Sequence, residues 1–361
     1  MHYRDSSFAP AFFLRLGLFE LLFLTPLIFY GWATTFSSVK QTFAQIVCLV
    51  LVCVFFFAAL HKKVIFPPLS SVSLFIIFFA LFSLLSSLWS ASFYASFLGL
   101  GVWGVFFFVY FLTSSIVENE RWMVILLIAT ISSGFFAACY GFLQFYGIEL
   151  PIWREVAGRM RLFSTFGNPN YLAAYLTAAL HLGALLFFVQ RGKWKILWIA
   201  IISILYASLL MTHTRGAWVA LFFSSLFVLT LLILYAGRFF KKNKRSLILL
   251  TVVIAAITLI YSTPNPLNFG KTNLVQRSLS VVDFKSTARQ RLLIWNAALE
   301  LIREKPFLGW GVGTFGIHYP EAQGKFLSRE ENRGYLPQTN RSINAHNDYL
   351  HIWVEKGLVG L

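Results

Sequence analysis

The side chains equipped to do chemistry here are arginines, one histidine and a few asparagines. Arg159-Met160-Arg161 leads into Phe166-Gly167-Asn168-Pro169-Asn170, a turn in which Asn170 can cap the helix that follows. It reads either as a tight turn with its cap, or as a helix start whose backbone N–H groups face an anion with Arg161 beside them. Thr212-His213-Thr214-Arg215-Gly216-Ala217 forms another turn, where Arg215 either snorkels to lipid headgroups or holds a ligand. Arg289 and Arg291 open an amphipathic run that Pro306 ends, with Leu292, Leu293, Trp295, Leu299 and Ile302 on one apolar face. That run is either an ordinary interfacial helix or one that turns an arginine inward. His346, beside Asn347 and Asp348, has the chemistry of a general base near neutral pH, although a lone histidine is more often structural. A guanidinium grips phosphate through two parallel contacts, where an ammonium offers a point charge, so this set suits an anionic ligand.

What the chain lacks narrows the chemistry further. Its three aspartates are Asp5, Asp283 and Asp348, so no Asp-x-Asp pair holds a divalent ion for a sugar diphosphate. No glycine loop ends in Lys-Ser or Lys-Thr to bind a nucleotide. His346, Asp348 and His351 do not fall on one helical face and make a poor metal set. The expectation is phosphate chemistry carried by arginine, with no metal and no cofactor.

These residues must be positioned by membrane helices. The 361 residues are 58% hydrophobic, 18% aromatic and 12% charged, against about 25% charged in a soluble domain. Apolar runs of about 20 residues recur, whereas a β-barrel would alternate over ~10-residue segments. The expected fold is all-α, a polytopic bundle of about ten spans near 11–32, 41–60, 69–89, 93–113, 122–143, 171–189, 194–212, 214–236 and 246–262, with the last beginning near 348. The first run is too long for a cleavable signal. Cys48, Cys53 and Cys139 lie inside apolar runs and form neither a disulfide framework nor a metal motif.

The net charge of +16 does not indicate nucleic acid, because much of it sits in short loops where it sets orientation. Lys62 and Lys63, Arg121, Arg191 to Lys195, and Arg238 to Arg245 all follow even-numbered spans. The positive-inside rule puts those connections and the N-terminus in the cytoplasm. The odd-numbered connections then lie outside and are rich in arginine: Arg154, Arg159, Arg161, Arg215, Arg277, Arg289, Arg291, Arg303, Arg329, Arg333 and Arg341. The long polar segment 263–345 belongs to that side, partly helical, with a glycine-rich turn at Gly309, Gly311 and Gly313. The run Glu355 to Leu361 reads as the start of a span that stops short of crossing ~30 Å of hydrocarbon, so a C-terminal part is expected to be missing.

Thr214-Arg-Gly-Ala-Trp218, Arg291-Leu-Leu-Ile-Trp295 followed by Lys305-Pro-Phe-Leu-Gly-Trp-Gly311, and His346-Asn-Asp-Tyr-Leu350 followed by Glu355-Lys-Gly-Leu-Val-Gly360 together resemble the bacterial O-antigen ligase and polymerase superfamily. The turn Phe166-Gly-Asn-Pro-Asn-Tyr-Leu172 is similar to its ligase-like branch. The likeness covers roughly residues 155 to 361, and spans one to five match in hydropathy alone. It implies one membrane domain over 1–361 and a metal-independent glycosyltransferase. Such an enzyme moves a glycan from a polyprenyl-diphosphate carrier to an acceptor hydroxyl on the outer face of the bacterial cytoplasmic membrane. By position, the family's diphosphate-holding arginines fall on Arg161, Arg215 and Arg291, and its proposed base on His346. Arg159 and Arg154 compete with Arg161, and Arg289 is the poorer substitute for Arg291 because the family's arginine stands four residues before the tryptophan. Asn168 and Asn170 join the donor-binding set, and Arg215, Arg291 and His346 are expected to act on the reaction itself.

The acceptor is open: lipid A core, another repeat unit, or a protein serine, the last making the chain a protein O-oligosaccharyltransferase. A rival of another class is a lipid-linked glycan flippase, whose arginines would line a path between leaflets. A scaffold without catalysis would not need His346. Trp310, Phe315 and Tyr319 are candidates to stack on sugar rings.

Overall fold

The computed structural model describes residues 8–31, 33, 35–61, 69–117, 119–148, 161–268 and 287–361. Lys62, Lys63, Arg154, Arg159 and Arg277 lie outside the described residues. The described chain is helical, and no strand occurs within it. Nine of its helices are long and apolar enough to cross a membrane. They are α1 (Phe8–Leu27), α2 (Phe36–Leu60), α3 (Ser71–Leu85, extended by a 3-10 turn to Trp89), α4 (Phe93–Ile116), α5 (Glu120–Phe145), α6 (Pro169–Val189), α7 (Lys193–Met211), α8 (Arg215–Tyr235) and α9 (Arg238–Ser262). Three more belong to the polar part and its exit: α10 (Thr287–Glu304), α11 (Phe315–Leu327) and α12 (Asp348–Gly360).

All nine expected spans are present. The tenth segment begins at Asp348 as expected, but α12 has 13 residues and breaks at Gly357, whose φ is +65°. The basic stretch from Arg238 to Arg245, read as a loop, is instead the first two turns of α9. Lysine and arginine are good helix formers, and their long stems let the charge leave the apolar layer while the backbone stays helical.

The chain divides into two compact units, one of residues 1–47 with 117–281, the other of 48–116 with 282–361. In the first, α5, α6 and α7 enclose a core that includes Ala137, Ala138, Leu176, Ala179, Phe187, Ile202 and Leu205. Small residues recur along one face of α5 at Gly134, Ala137, Ala138 and Gly141. A β-carbon at Gly134 would meet Ala179 and Tyr175 at 3.3 Å, so the backbones approach as closely as small-residue stripes allow. Without water to drive helices together, that close contact is the main source of cohesion between spans. By contrast α8 exposes Phe222, Phe223 and Phe227 along its length, as a lipid-facing helix does.

In the second unit, α10 and α11 pack on the start of α12 through Ile294, Ala297, Ala298, Leu301, Ile302, Phe315, Tyr319, Ala322, Ala345 and Val354. The buried face of α10 is therefore offset from the expected one: Leu292 and Leu299 are exposed, and two alanines take their place. The expectation followed bulky side chains, whereas alanine is what lets α11 lie close. Lys356, with no exposed surface, holds its ammonium 4.2 Å over the Phe79 ring and 4.0 Å over Trp103.

The glycine-rich turn fastens this unit. Gly309, Gly311 and Gly313 have φ of +66°, +99° and +78°, a region that L side chains rarely adopt. A β-carbon on Gly313 would collide with the Ala95 carbonyl on α4. The turn repairs the break in α12: Trp310 and Gly311 N–H donate to the Val354 and Glu355 carbonyls, while Leu358 and Val359 N–H donate to the Pro306 and Phe307 carbonyls. On its other side, Ser96 Oγ donates to the Val312 carbonyl at 2.8 Å, and Val312 N–H donates to Ser86 Oγ at 3.2 Å.

Candidate functional site

The first unit gathers several connections at one end. The N-cap of α6 is Asn168, not Asn170: its Oδ1 accepts the Asn170 N–H at 2.8 Å. Proline decides this. Pro169 sits at the first helical position, where a missing N–H costs nothing, and it forces the preceding residue into the extended conformation an N-cap needs. Asn168 has φ −139° and ψ 122° accordingly. Asn170 is thereby released for another task. Its Oδ1 accepts from Arg161 Nη2 at 3.2 Å, and the same nitrogen donates to Thr214 Oγ1 at 3.1 Å. Arg161 Nε donates to the Thr212 carbonyl at 2.9 Å, next to the backbone bond from Leu162 N–H to the Met211 carbonyl. These contacts fix the guanidinium between the start of α6 and the α7–α8 turn. Arg215 follows as the first, half-buried residue of α8, whose N-cap Thr214 spends its hydroxyl in the Arg161 cluster rather than on the helix.

The close of α1 shares this end. Lys40 Nζ donates to the Thr25, Pro26 and Ile28 carbonyls at 3.2, 2.6 and 2.7 Å, and Thr165 Oγ1 donates to the Pro26 carbonyl at 2.8 Å. Lys40 therefore caps a helix C-terminus.

The second unit holds the rest. Arg289 and Arg291 project from the first turn of α10, both exposed, and neither has an ion-pair partner among the described residues. Arg303, Arg329 and Arg333 of the polar segment are instead paired with glutamates. Glu300 takes Arg329 through both oxygens at 2.8 and 3.1 Å and Arg303 at 3.0 Å, and Glu330 lies 3.8 Å from Arg333. His346 stands in a short turn with φ +49°, its own N–H donating to Asn344 Oδ1 at 3.2 Å. Asn347 is the N-cap of α12, its Oδ1 accepting the Tyr349 and Leu350 N–H groups at 3.1 and 3.3 Å. The imidazole of His346 is held below the ordinary value of 6.5, first by desolvation and then by the positive charge of Arg291. Both causes favour the uncharged imidazole, the form that can take a proton.

Of the residues singled out from sequence, Arg161 and Asn170 come together with the turn that carries Arg215, and Arg291 comes together with His346. Asn168 is a helix cap, and Arg289 is an exposed neighbour of Arg291. Phe315 and Tyr319 are fully buried, and the Trp310 indole donates to the Leu301 carbonyl, so these aromatic rings belong to the core rather than to a sugar platform. Sequence reasoning overlooked Thr214, whose only signal was its place before Arg215, and Asn344, two residues before His346. Among the described residues no group of three His, Cys, Asp or Glu side chains stands close enough to hold a metal ion.

Comparison with known proteins shows what the chain is similar to. Residues 199–361 match the O-antigen ligase family, a stretch that includes Arg215, Arg291 and His346 and leaves out Arg161. A general O-oligosaccharyltransferase of Acinetobacter baylyi is 26% identical over 307 residues, which cover 81% of this chain and 51% of that protein. A ComP-specific O-oligosaccharyltransferase of the same organism is 27% identical over 205 residues, 56% of this chain and 33% of that protein. The chain thus spans about half the length of the first relative and a third of the second. No solved structure matches it.

Proposed function

We propose, from the chain's membership of the O-antigen ligase-like superfamily, that it is a multi-pass membrane glycosyltransferase of the ligase type. Its donor is a glycan on a polyprenyl diphosphate, and its reaction takes place on the outer face of the cytoplasmic membrane. His346 takes the proton of an acceptor hydroxyl, and the freed oxygen attacks the anomeric carbon of the glycan. The bond from that carbon to the diphosphate breaks, and the carrier leaves with the electron pair. Arg161, Arg215 and Arg291 stabilise the negative charge that grows on the leaving diphosphate, each contact worth ~3 kcal/mol of barrier. Arg289 and Asn170 assist in donor binding, the latter by orienting Arg161. No metal is required in this scheme, because guanidinium groups supply the positive charge.

The observation that carries the reading is His346 beside Arg291, where desolvation and then the guanidinium charge lower the imidazole pKa. A base must be free of its proton before it can act, and a neighbouring guanidinium both keeps it so and offers charge to the departing phosphate. Both relatives are named O-oligosaccharyltransferases, one of them ComP-specific, and this favours a hydroxyl on a protein as the second reading of the acceptor. The test is incubation of the purified protein, with and without EDTA, with a polyprenyl-diphosphate glycan and a panel of lipid, saccharide and peptide acceptors. Carrier release that needs an acceptor, survives EDTA and vanishes in His346→Ala is the expected result. Release unaffected by His346→Ala defeats the assignment of the base.

A further inference from the structure

The peptide groups around His346 are each tied to a side chain distant from the reaction. The carbonyl of Ala345 accepts from the Trp295 indole Nε1 at 3.1 Å, and the N–H on the other side of that peptide, His346's own, donates to Asn344 Oδ1 at 3.2 Å. One peptide earlier, the Ala345 N–H meets His351 Nδ1 at 3.4 Å, and the Asn344 carbonyl accepts from Ser342 Oγ at 2.7 Å. Ala345 itself has no exposed surface. Every backbone group leading into His346 is therefore fixed, while the imidazole stays exposed at the surface.

Two of these anchors come from elements that carry other parts of the site. Trp295 stands four residues after Arg291, about one turn further along the same face of α10. The helix that presents the Arg291 guanidinium thus also grips the backbone of His346. His351 is anchored in turn. Its Nε2 lies 3.3 Å from Glu355 Oε1, and that buried oxygen also accepts the Phe315 N–H at 3.2 Å. Because the carboxylate faces Nε2, the ring's proton belongs there, and Nδ1 keeps the lone pair that the Ala345 N–H requires.

We infer that Trp295 and His351 are positioning residues for His346, holding the Ala345 backbone so that the imidazole keeps one fixed placement relative to Arg291. The inference rests on His346 being the base. It accounts for the spacing of Arg291 and Trp295 and gives a task to the Glu355 carboxylate, which stays buried to orient His351. Small displacements of a base are costly: a misplacement of about 1 Å lowers rates by up to 100-fold.

The experiment measures carrier release from a polyprenyl-diphosphate glycan by Trp295→Phe, His351→Asn, His351→Gln and His346→Ala, each as the monodisperse detergent-purified fraction. Trp295→Phe keeps the ring and removes the donor; it is expected to lower kcat roughly tenfold with the donor KM unchanged. His351→Asn retains an acceptor near the place of Nδ1 and is expected to keep more turnover than His351→Gln, whose amide reaches Glu355 instead. A residue that served only to fill the core would leave kcat per folded molecule intact, and asparagine, the smaller side chain, would do no better than glutamine. If His346→Ala is inactive while Trp295→Phe and His351→Gln turn over like the parent, the positioning inference falls and the base stands. If the two variants raise the donor KM in place of lowering kcat, the residues serve donor binding and the inference is again wrong. If His346→Ala keeps its turnover, both fall together.

Discussion

Arg161 offers a direct choice between a structural and a functional arginine. The contacts of its guanidinium include hydrogen bonds to the Thr212 carbonyl, Asn170 Oδ1 and Thr214 Oγ1, at 2.9, 3.2 and 3.1 Å. Each is worth about 1 kcal/mol net, and two share one nitrogen on a half-exposed side chain, so Arg161→Ala is expected to cost about 2 kcal/mol of stability. If the guanidinium also contacts the departing diphosphate, the same change removes ~3 kcal/mol from the transition state, a rate loss of 100-fold or more. Thr214→Val separates the two effects. It deletes one partner of Arg161 and leaves the charge in place, so its rate is expected to fall by no more than about fivefold, the effect of one lost hydrogen bond. Arg161→Lys retains the charge but cannot reach Thr212 and Asn170 together, and it is expected to behave more like alanine than like the parent. The assay is carrier release per folded molecule, with thermal unfolding in detergent measured alongside. An Arg161→Ala protein that melts lower yet turns over within threefold of the parent would make Arg161 a structural residue only.

The acid limb of the pH–rate profile should lie below 6.5, because the folded His346 pKa is depressed and activity is lost only as pH falls through it; Arg291→Ala removes one cause of the depression and should move the limb upward. Should the limb stay put in Arg291→Ala, the guanidinium does not act on His346. Gly313→Ala combines a φ of +78° with a collision against Ala95 and is expected to cost at least ~2 kcal/mol, read as a loss of monodisperse protein. Ser328 is exposed on the polar segment, so Ser328→Cys should react with an impermeant maleimide on intact cells; labelling only after permeabilisation would reverse the orientation.

Hydropathy made the helices legible because every residue of a 20-residue run contributes to the same signal, with the start of α9, at Arg238 rather than near 246, the largest departure. The turn chemistry was half legible. Proline ahead of Asn170 should have moved the cap to Asn168, since the residue before proline is the one driven into extended backbone. The amphipathic face of α10 was misjudged because alanines carry little hydropathy yet decide how close α11 can come. Trp295 reads as part of the apolar face and of the family's spacing from Arg291, and nothing in the sequence reveals that its indole reaches a carbonyl 50 positions away. His351 was weighed for a metal, and Glu355 was noted only within a family motif. The sequence carries the identities of such side chains; their partners are set by the fold.

The glycine-rich turn also fixes an order of events. Ser86 and Ser96, both without exposed surface, find Val312 as their partner 226 and 216 residues further along the chain. The α3–α4 hairpin therefore leaves the ribosome long before the segment that completes it. Until residues 309–313 arrive, Ser86 Oγ has only the Ser83 carbonyl and Ser96 Oγ only Ser90 Oγ, both within the hairpin, and Phe79 and Trp103 wait still longer for Lys356. The second unit is thus completed late during synthesis, after helices α5 to α9 of the first unit are already made. A delay or truncation between Ser262 and Asp348 would spare those helices and strand the hairpin, which makes the early half of the second unit the part most exposed to quality-control proteases.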